Sequence, residues 1–458
     1  MVGIFKLQVA VSPNAVTKPF DFISEIVAGA YILIALIAGG GPQGLGDQVI
    51  YLSSVPVLLL AFSRLGQVQL DRWKRIIIGL WLMTLVMVGL QLLPLPVSWI
   101  ERLPMRSAVI EDLNSAGVNL KSMPITLAKW ATVRGFLAVT ATFAIFLLAM
   151  TLNVSAKQRL LKLTVIAAVL MALVGFAQAG AGEQSQLRPF EFHHPIGAIG
   201  SFANRNHFAC FMAMMIPFGI LFASKAANRG RQTEMVLWYA ALIILTLAAA
   251  LSFSRTGILL SLMAFVAGFW IVPKKVMGSM RLAVPLLVVG LIVLAVYTYA
   301  YSGIAARLAQ DPLADLRFQY LNFGEIVVGA YWPIGSGFGS FPWVYAPFEP
   351  VEAMTSSYAA RAHNDPLQLA IGGGAFAVAM MAAWLIAIVA LALRNFRKSV
   401  AKFGGGMYVH RVASIALMIP LVHSLVDYPL RTMAISTTFA LFLAVSLFDQ
   451  SEKPEAQA

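Results

Sequence analysis

The sequence predicts an all-α protein, a polytopic membrane helical bundle with about twelve transmembrane helices. Hydrophobic residues make up 59% of the 458 residues, charged residues only 12%, and the mean hydropathy is +0.80. Because soluble domains carry about 25% charged residues, this composition cannot cover a surface that faces water. Apolar stretches close to the roughly 20 residues that cross a bilayer recur along the chain. Helices satisfy their own backbone hydrogen bonds in lipid, whereas isolated strands do not.

The predicted spans follow the apolar stretches near 22–38, 48–63, 76–95, 130–152, 159–180, 204–224, 234–251, 257–272, 281–301, 366–393, 408–428 and 430–448. The first stretch follows two lysines, as in a signal peptide, but it exceeds the core of about 7–15 residues of such a peptide, so we interpret it as a retained span. Residues 1–458 are therefore expected to form a single integral membrane domain. The polar residues 449–458 predict a short cytoplasmic tail.

The distribution of lysine and arginine indicates the orientation. When the connections are assigned alternately to the two sides, most of the 33 Lys and Arg residues fall on the side of the N-terminus, and the short connection 39–48 on the other side has none. Because basic residues concentrate in short cytoplasmic loops, both termini are expected to be cytoplasmic. We attribute the net charge of +13 to this topology rather than to nucleic-acid binding.

A large outer loop, residues 302–365, separates the ninth and tenth predicted spans, and a shorter one covers 96–129. Long loops in compact proteins are usually functional. Asp311-Pro312 predicts the start of a short helix within the large loop. Pro333 would end this helix, ahead of a glycine-rich segment. The helix would carry one apolar stripe, with members at spacings of three and four: Leu313, Leu316, Tyr320, Phe323, Val327 and Tyr331.

At the outer ends of the predicted spans there are polar residues that the packing of membrane helices does not require. A charged side chain at the centre of a span costs about 2.5–3.5 kcal/mol on insertion scales, so its presence suggests a function. His363 directly precedes the helix start Asp365-Pro366, where free N–H groups attract anions. Arg361 adds positive charge, and an imidazole with a pKa of about 6.5 can transfer a proton at ordinary pH. The alternative is a cluster that only caps the helix.

Two further arginines are candidates for binding an anion. Arg255 lies between two apolar stretches, and a guanidinium binds phosphate oxygens in bidentate fashion. The alternative for Arg255 is an arginine that reaches the membrane surface from a tight turn. Arg317 lies in the predicted loop helix, where the alternative is a solvated arginine or one that contacts lipid headgroups.

Two more polar groups would line the same outer mouth or lie near it. His423 and Asp427 are four residues apart and would share one helical face, where the carboxylate either orients a reactive imidazole or forms a buried structural pair. Another polar cluster begins the sixth span, and its members are Asn204, Arg205, Asn206 and His207.

Several other activities have no support in the sequence. It contains no Walker loop, no Rossmann glycine fingerprint and no HExxH zinc motif. No Asp-x-Asp pair is present, and the adjacent His193 and His194 are a weak metal signal. The single cysteine, Cys210, excludes an intramolecular disulfide. We therefore predict neither a cofactor nor a metal site.

Taken in order, these segments resemble the superfamily of O-antigen ligases and O-antigen polymerases, the bacterial glycosyltransferases of envelope polysaccharide and lipopolysaccharide biosynthesis. The resemblance covers about 200–430, whereas the first 200 residues are similar only in being hydrophobic. Its segments are Ser201–Ala209 (SFANRNHFA), Ser254–Gly257 (SRTG), Arg317 ahead of Pro333–Phe341 (PIGSGFGSF), Ala362–Leu369 (AHNDPLQL) and His423–Asp427 (HSLVD).

The resemblance implies a metal-independent transfer of a glycan from an undecaprenyl-diphosphate carrier to an acceptor hydroxyl at the periplasmic face of the bacterial inner membrane. It implies that Arg255 and Arg317 hold the diphosphate and that His363 lies at the reacting centre, and these three are the predicted catalytic residues. The predicted substrate-binding residues are Arg361, Asn364, Asn204, Arg205, Asn206, His423 and Asp427.

Two questions stay open at this point. The acceptor is either a lipid-core sugar, as for a ligase of O-antigen, or a growing chain, as for a polymerase of O-antigen or exopolysaccharide. The other class that suits twelve spans is a secondary transporter or a flippase for lipid-linked sugars. Such proteins favour a site at the membrane midplane, whereas the polar groups of this chain lie at one face. The sequence does not predict the oligomeric state.

Overall fold

The structure is a computed structural model that describes residues 13–42, 44–191, 194, 196–271, 290, 316–354, 359–398 and 407–447. The side chains of residues 13–20, 316–318, 353 and 407 lie outside the described part.

The long helices of the described residues are α1 (Pro13–Ala38), α2 (Leu45–Leu65), α3 (Arg72–Leu90), α6 (Lys129–Thr151), α7 (Val154–Ala181), α8 (Arg205–Asn228), α9 (Gln232–Leu251), α10 (Arg255–Ile271), α11 (Leu316–Tyr331), α13 (Asp365–Arg397), α14 (Met407–His423) and α15 (Met433–Ser446). The short elements are α4 (Val97–Ile100), α5 (Arg106–Ser115), α12 (Phe341–Tyr345) and the antiparallel strands β1 (Pro94–Pro96) and β2 (Ser122–Pro124). Single 3₁₀ turns occur at Gly182–Gln184, Ala346–Phe348, Val351–Ala353 and Pro429–Arg431.

The described helices confirm the prediction of an all-helical membrane protein. Within the described residues, eight helices are long and apolar enough to cross a membrane, namely α1, α2, α3, α6, α7, α8, α9 and α13. The shorter apolar helices α10, α14 and α15 coincide with three further predicted spans. The number of twelve stays a prediction, because the predicted span 281–301 lies, apart from Gly290, outside the described residues.

The starts of several helices follow from local side-chain caps. Asp71 accepts a hydrogen bond from the Lys74 N–H at 2.8 Å, and Asn153 accepts one from the Ala156 N–H at 2.8 Å. Such a cap satisfies one of the N–H groups that the first turn of a helix leaves without a partner. These caps set the beginnings of α3 and α7.

The connections between helices meet at one end of the bundle, which we call the loop end. There the Ala203 N–H donates to the Gly40 carbonyl at 3.0 Å, and the Asp365 N–H donates to the Ser424 carbonyl at 2.9 Å. The first contact joins the α1–α2 connection to the start of α8, and the second joins the start of α13 to the α14–α15 connection. The Ala434 N–H, which donates to the Gly39 carbonyl at 3.1 Å, links the two groups. Described parts of four predicted outer connections therefore meet at this end.

The opposite end, which we call the basic end, is held by ion pairs between neighbouring helices. These pairs are Arg64–Asp21, Arg159–Glu25 at 2.5 Å, Lys162–Glu234 at 2.9 Å and Arg394–Asp71 at 3.6 Å. Each joins residues from two different helices or helix ends. The basic end thus holds the connections to which the sequence assigned most lysines and arginines.

Helix α11 packs against the start of α13 rather than standing apart. Its predicted start at Asp311 lies outside the described residues, and it ends at Tyr331, ahead of Pro333 as predicted. Tyr320, Val327 and Tyr331 are buried in a second small core that includes Ile371 of α13. This packing brings the loop helix to the loop end beside the predicted site.

Helix α13 bends at Gly374, where φ is 57° and ψ is −144°. The bend takes carbonyls out of the helical pattern, and the glycine-rich segment 335–340 supplies their partners: the Ser336 N–H donates to Ile371 at 2.8 Å and the Gly337 N–H to Gly372 at 2.9 Å. A Cβ at Gly374 would overlap the Pro333 carbonyl oxygen. The glycines are needed because the two backbones approach so closely.

Arg106 connects the two outer loops. Its side chain is fully buried, and its Nη2 donates to the Ile125 and Gly335 carbonyls, both at 2.8 Å. Burial of a guanidinium costs free energy unless hydrogen bonds replace its water, and here the two Nη atoms are bonded whereas Nε has no acceptor among the described residues. The first outer loop therefore supports the glycine-rich segment of the second.

Candidate functional site

A cavity of about 1320 Å³ lies at the loop end, between α3, α6, α13, α14 and α15. Polar groups line one part of it, and they include Arg134, Asn204, His207, Arg361, His363, Asp365, Tyr428 and Arg431. Apolar side chains line the remainder, among them Trp81, Val139, Met380, Trp384, Ile388, Met418 and Phe439. A cavity of this kind suits a molecule with a charged head and a hydrocarbon tail.

His363 is held in an unusual backbone conformation at the wall of this cavity. Its φ is 49°, in the left-handed region, where a residue with a Cβ loses about 1–2 kcal/mol. Two rings fix the imidazole: Tyr320 of α11 stacks on it with centroids 6.2 Å apart, and Tyr428 meets it at an angle of 60° and 5.0 Å. The side chain is 29% exposed. Backbone strain at a residue whose side chain is held by its neighbours is typical of a functional position.

Asp427 is a fully buried carboxylate that joins two histidines. Its Oδ1 lies 3.1 Å from His363 Nδ1 and 3.5 Å from His207 Nε2. The Tyr428 N–H donates to Oδ1 at 3.0 Å, and Asn206 Nδ2 donates to Oδ2 at 2.8 Å. Burial alone would raise the pKa of Asp427, but the hydrogen bonds from His207 and His363 hold that pKa well below its usual range.

The contact between His363 and Asp427 determines what the imidazole can do. The carboxylate occupies Nδ1, which leaves Nε2 as the ring nitrogen available to a substrate in the cavity. A carboxylate on Nδ1 fixes the tautomer with a proton there and stabilises the imidazolium that forms when Nε2 accepts a second proton. His363 and Asp427 therefore have the arrangement of a general base and its orienting group.

The predicted pair of His423 and Asp427 needs a correction. Helix α14 ends at His423, and Asp427 lies in the turn beyond it, so the two do not share a helical face within a span. The Asp427 N–H still donates to the His423 carbonyl at 3.0 Å, and His423 is buried. This turn directs the carboxylate towards His363, from which it is separated by 64 positions in the sequence.

Three guanidinium groups line the same cavity as His363. Arg431 Nε donates to Asp365 Oδ1 at 2.6 Å, and Ser424 donates to the other oxygen of that carboxylate at 2.9 Å. Arg361 lies 6.0 Å from the Tyr428 ring centroid. Burial, and secondly repulsion from Arg431, lower the pKa of Arg361 to about 10, so this group is charged at neutral pH. Together with Arg134, these groups give the polar part of the cavity an excess of positive charge.

The other two predicted catalytic residues lie in the first turns of two helices. Arg255 is the first residue of α10, is exposed and is not among the residues that line the cavity. Close packing of Gly257 on Ala209 puts the start of α10 beside α8 at the loop end. Arg317 lies in the first turn of α11, three positions before Tyr320, and its side chain is outside the described part. Their convergence on His363 stays a prediction.

The remaining predicted binding residues have structural contacts of their own. Asn204 lines the cavity and caps α8, accepting from the Asn206 N–H at 2.8 Å. Asn364 caps α13, accepting from the Leu367 N–H at 2.9 Å, and does not line the cavity. Arg205 is partly buried, and its Nε has no hydrogen-bond acceptor among the described residues. A role in binding substrate stays a prediction for each of them.

Sequence reasoning missed two of the arginines that line the cavity. Arg134 lies within the predicted span 130–152, and the signal that could have identified it was a charged residue inside an apolar stretch. Arg431 begins the last predicted span and resembles an ordinary residue at a membrane boundary. His194 also lines the cavity, whereas His193 lies outside the described residues.

Comparison with known families supports the resemblance drawn from the sequence. Residues 240–382 match the family model described as O-antigen ligase. The matched stretch includes Arg255, Arg317, Arg361 and His363, but it ends before Asp427 and begins after Arg134. No curated protein matches the sequence.

Proposed function

We propose that this membrane protein, whose residues 240–382 match the family model described as O-antigen ligase, is a metal-independent glycosyltransferase. It moves a glycan from an undecaprenyl-diphosphate carrier to an acceptor hydroxyl at the periplasmic face of the bacterial inner membrane. The acceptor is a glycan or a lipid-core sugar. The observation that carries this proposal is the pair of His363 and Asp427 at the wall of an amphipathic cavity.

His363 acts as the general base in the proposed transfer. Its Nε2 takes the proton of the acceptor hydroxyl while that oxygen forms a bond to the anomeric carbon of the glycan. The bond from that carbon to the diphosphate breaks, and the electron pair leaves with the carrier. Asp427 holds the Nδ1 proton and stabilises the imidazolium, and general base catalysis of this type contributes about 10²–10⁴-fold to a rate. A direct displacement inverts the anomeric centre.

The leaving group gains negative charge as its bond breaks, so groups that stabilise this charge lower the barrier. Arg361 and Arg431 line the cavity beside His363, and a guanidinium matches the geometry of phosphate oxygens. The resemblance adds Arg255 and Arg317 to this role. The apolar part of the cavity suits the hydrocarbon of a lipid carrier. The positive charges in this mechanism come from arginine side chains of the protein itself.

The arrangement of the two ends supports the proposed periplasmic location of the site. His363, Asp427 and the cavity belong to the loop end, whereas the connections rich in lysine and arginine belong to the basic end. Cytoplasmic loops collect basic residues. Under this orientation the site faces the periplasm and both termini are cytoplasmic.

The direct test uses purified protein in detergent, a glycan on undecaprenyl diphosphate and candidate acceptors, with release of the carrier as the readout. We expect transfer by the wild type and loss of transfer in His363→Ala, Arg255→Ala and Arg317→Ala proteins that still insert in the membrane. A transporter or flippase would give no carrier release, since detergent removes the two compartments. Full activity in all three variants would contradict the assignment of the site.

A deletion strain separates the two proposed acceptors. Loss of long polymers identifies a polymerase, because chain growth itself would stop. Full-length polymer that accumulates on its carrier identifies a ligase. Either result is compatible with the same chemistry at His363.

A further inference from the structure

Arg134 is a charged residue inside a helix that otherwise suits a membrane interior. It lies in the second turn of α6, is exposed and lines the cavity. Placing a guanidinium at such a position costs free energy. Arginines inside membrane helices therefore usually face a polar cavity or a partner, and they often mark a functional site. The helix also provides room for a ligand, because small side chains line the cavity at spacings of three and four: Ala131, Gly135, Ala138 and Thr142.

The cavity surface carries an excess of positive charge. Among the described residues that line the cavity, three are arginines, namely Arg134, Arg361 and Arg431, whereas one is a carboxylate, Asp365. Asp365 is engaged by Arg431. The polar part of the cavity therefore favours an anionic group.

The cavity changes character beyond this charged region. Val139 of α6, one turn further along than Gly135, lines the apolar part together with Met380 and Trp384 of α13. A ligand that satisfies both regions has an anionic head and a hydrocarbon tail. Attraction between a guanidinium and an anion is also stronger in such a partly dry site than in water.

We propose that Arg134 binds the phosphate group of a lipid-linked substrate whose hydrocarbon chain occupies the apolar part of the cavity. This inference rests on the proposed function and deepens it, because it assigns phosphate binding to a residue outside the stretch that matches the family model. The shared chemistry is a lipid phosphate or diphosphate. The carrier of the donor glycan and a phosphorylated lipid acceptor both possess it.

The test is equilibrium binding of fluorescent farnesyl diphosphate and of fluorescent farnesol to the full chain in detergent. We expect Arg134→Gln to weaken binding of the diphosphate by about tenfold or more, which is about 1.4 kcal/mol, and to leave farnesol binding unchanged. Arg134→Lys should have a smaller effect, because it keeps the charge and loses the bidentate geometry.

Arg75→Gln is the matched control, since it removes an exposed arginine at the basic end and should change neither affinity. Thermal unfolding confirms that each variant is folded. Equal loss of binding of both probes in folded Arg134→Gln would indicate a structural role for Arg134 and overturn the inference. Unchanged diphosphate binding in Arg134→Gln would overturn it as well.

Competition identifies the source of the phosphate. Undecaprenyl phosphate and a phosphorylated glycolipid acceptor are each added to protein that has bound the diphosphate probe. Displacement of the probe by either lipid supports the inference and identifies the lipid that binds. Displacement by neither overturns it. The binding assay does not depend on glycan transfer. If the wild-type protein binds the diphosphate probe through Arg134 but transfers no glycan in the carrier-release assay, the proposed function is contradicted and the assignment of Arg134 is not.

Discussion

At the scale of single residues, the site depends on one carboxylate with several donors. Asp427 is fully buried, yet it accepts from a backbone N–H, an amide and an imidazole, with a second imidazole 3.5 Å away. Removing a carboxylate from water is unfavourable unless such donors replace the water. The donors also determine the orientation of His363, because its Nδ1 is one of them.

Replacement of Asp427 by asparagine tests this orientation. The hydrogen bonds from His207 and His363 outweigh burial and hold the pKa of Asp427 below its usual range, so the carboxylate is ionised at neutral and higher pH values. We therefore expect Asp427→Asn to reduce kcat by about 10²–10⁴-fold at all such pH values, with little change in KM. Carrier-release kinetics measured across a pH series check this. A variant that keeps its rate, or that loses rate only at acidic pH, would contradict the role assigned to Asp427.

The sequence identified His363, Asp427 and Arg361 but not how they meet. His363 could be predicted because a helix-start signal follows it directly. The partner of Asp427 could not, since the nearest histidine along the chain is His423 and the contact with His363 spans 64 positions. Arg134 was missed for a different reason: one arginine in an otherwise apolar stretch changes the mean hydropathy very little.

At the scale of elements, the bend in α13 is the feature on which the wall of the cavity depends. The glycine-rich segment pairs its backbone with the bent region, and Gln91 joins both by donating to the Gly372 carbonyl at 3.0 Å and accepting from the Phe338 N–H at 2.9 Å. Phe338 and Gly339 line the cavity. A change at the bend should therefore affect the cavity without touching a charged group.

A glycine substitution tests the close approach. Gly374→Ala places a methyl group against the Pro333 carbonyl oxygen at a φ of 57°, so we expect a loss of about 1–3 kcal/mol of stability or more. Gly79→Ala in α3 is the matched control, because a Cβ there meets open space and alanine favours helix by about 0.5–1 kcal/mol. Thermal unfolding in detergent should show a lower midpoint for the first and an equal or higher one for the second.

The helices themselves were predictable, but the bend was not. Apolar stretches long enough to span a bilayer fix where helices form, and all described long helices except α11 coincide with predicted spans. The glycines at 372–374 lie inside one such stretch, where they look like ordinary small residues of a membrane helix. Their purpose becomes evident only from the segment 335–340, which packs on them from another part of the chain.

At the scale of the whole molecule, the two ends differ in their chemistry. The basic end holds ion pairs between helices, whereas the loop end holds backbone contacts between connections and the cavity. This asymmetry agrees with the distribution of lysine and arginine along the sequence. It predicts that the loop end lies on the periplasmic side of the membrane.

Thiol labelling tests that orientation. The single native cysteine, Cys210, is buried, so the unmodified protein serves as an unlabelled background. Ser115→Cys at the loop end and Gln67→Cys at the basic end replace exposed residues. In spheroplasts, a membrane-impermeant maleimide should label the first and not the second, and lysis should make both reactive. The reverse pattern would place the cavity in the cytoplasm and exclude a periplasmic transfer.

The contact between His363 and Asp427 also limits how this polypeptide can be divided. A break in the connection 398–407 would leave the imidazole on an N-terminal fragment and its carboxylate on a C-terminal one. We expect neither fragment alone to catalyse the proposed transfer, whereas production of both in one cell should restore it if they reassemble in the bilayer. A gene fusion that contains only the segment 240–382 would, for the same reason, include His363 without the carboxylate that orients it.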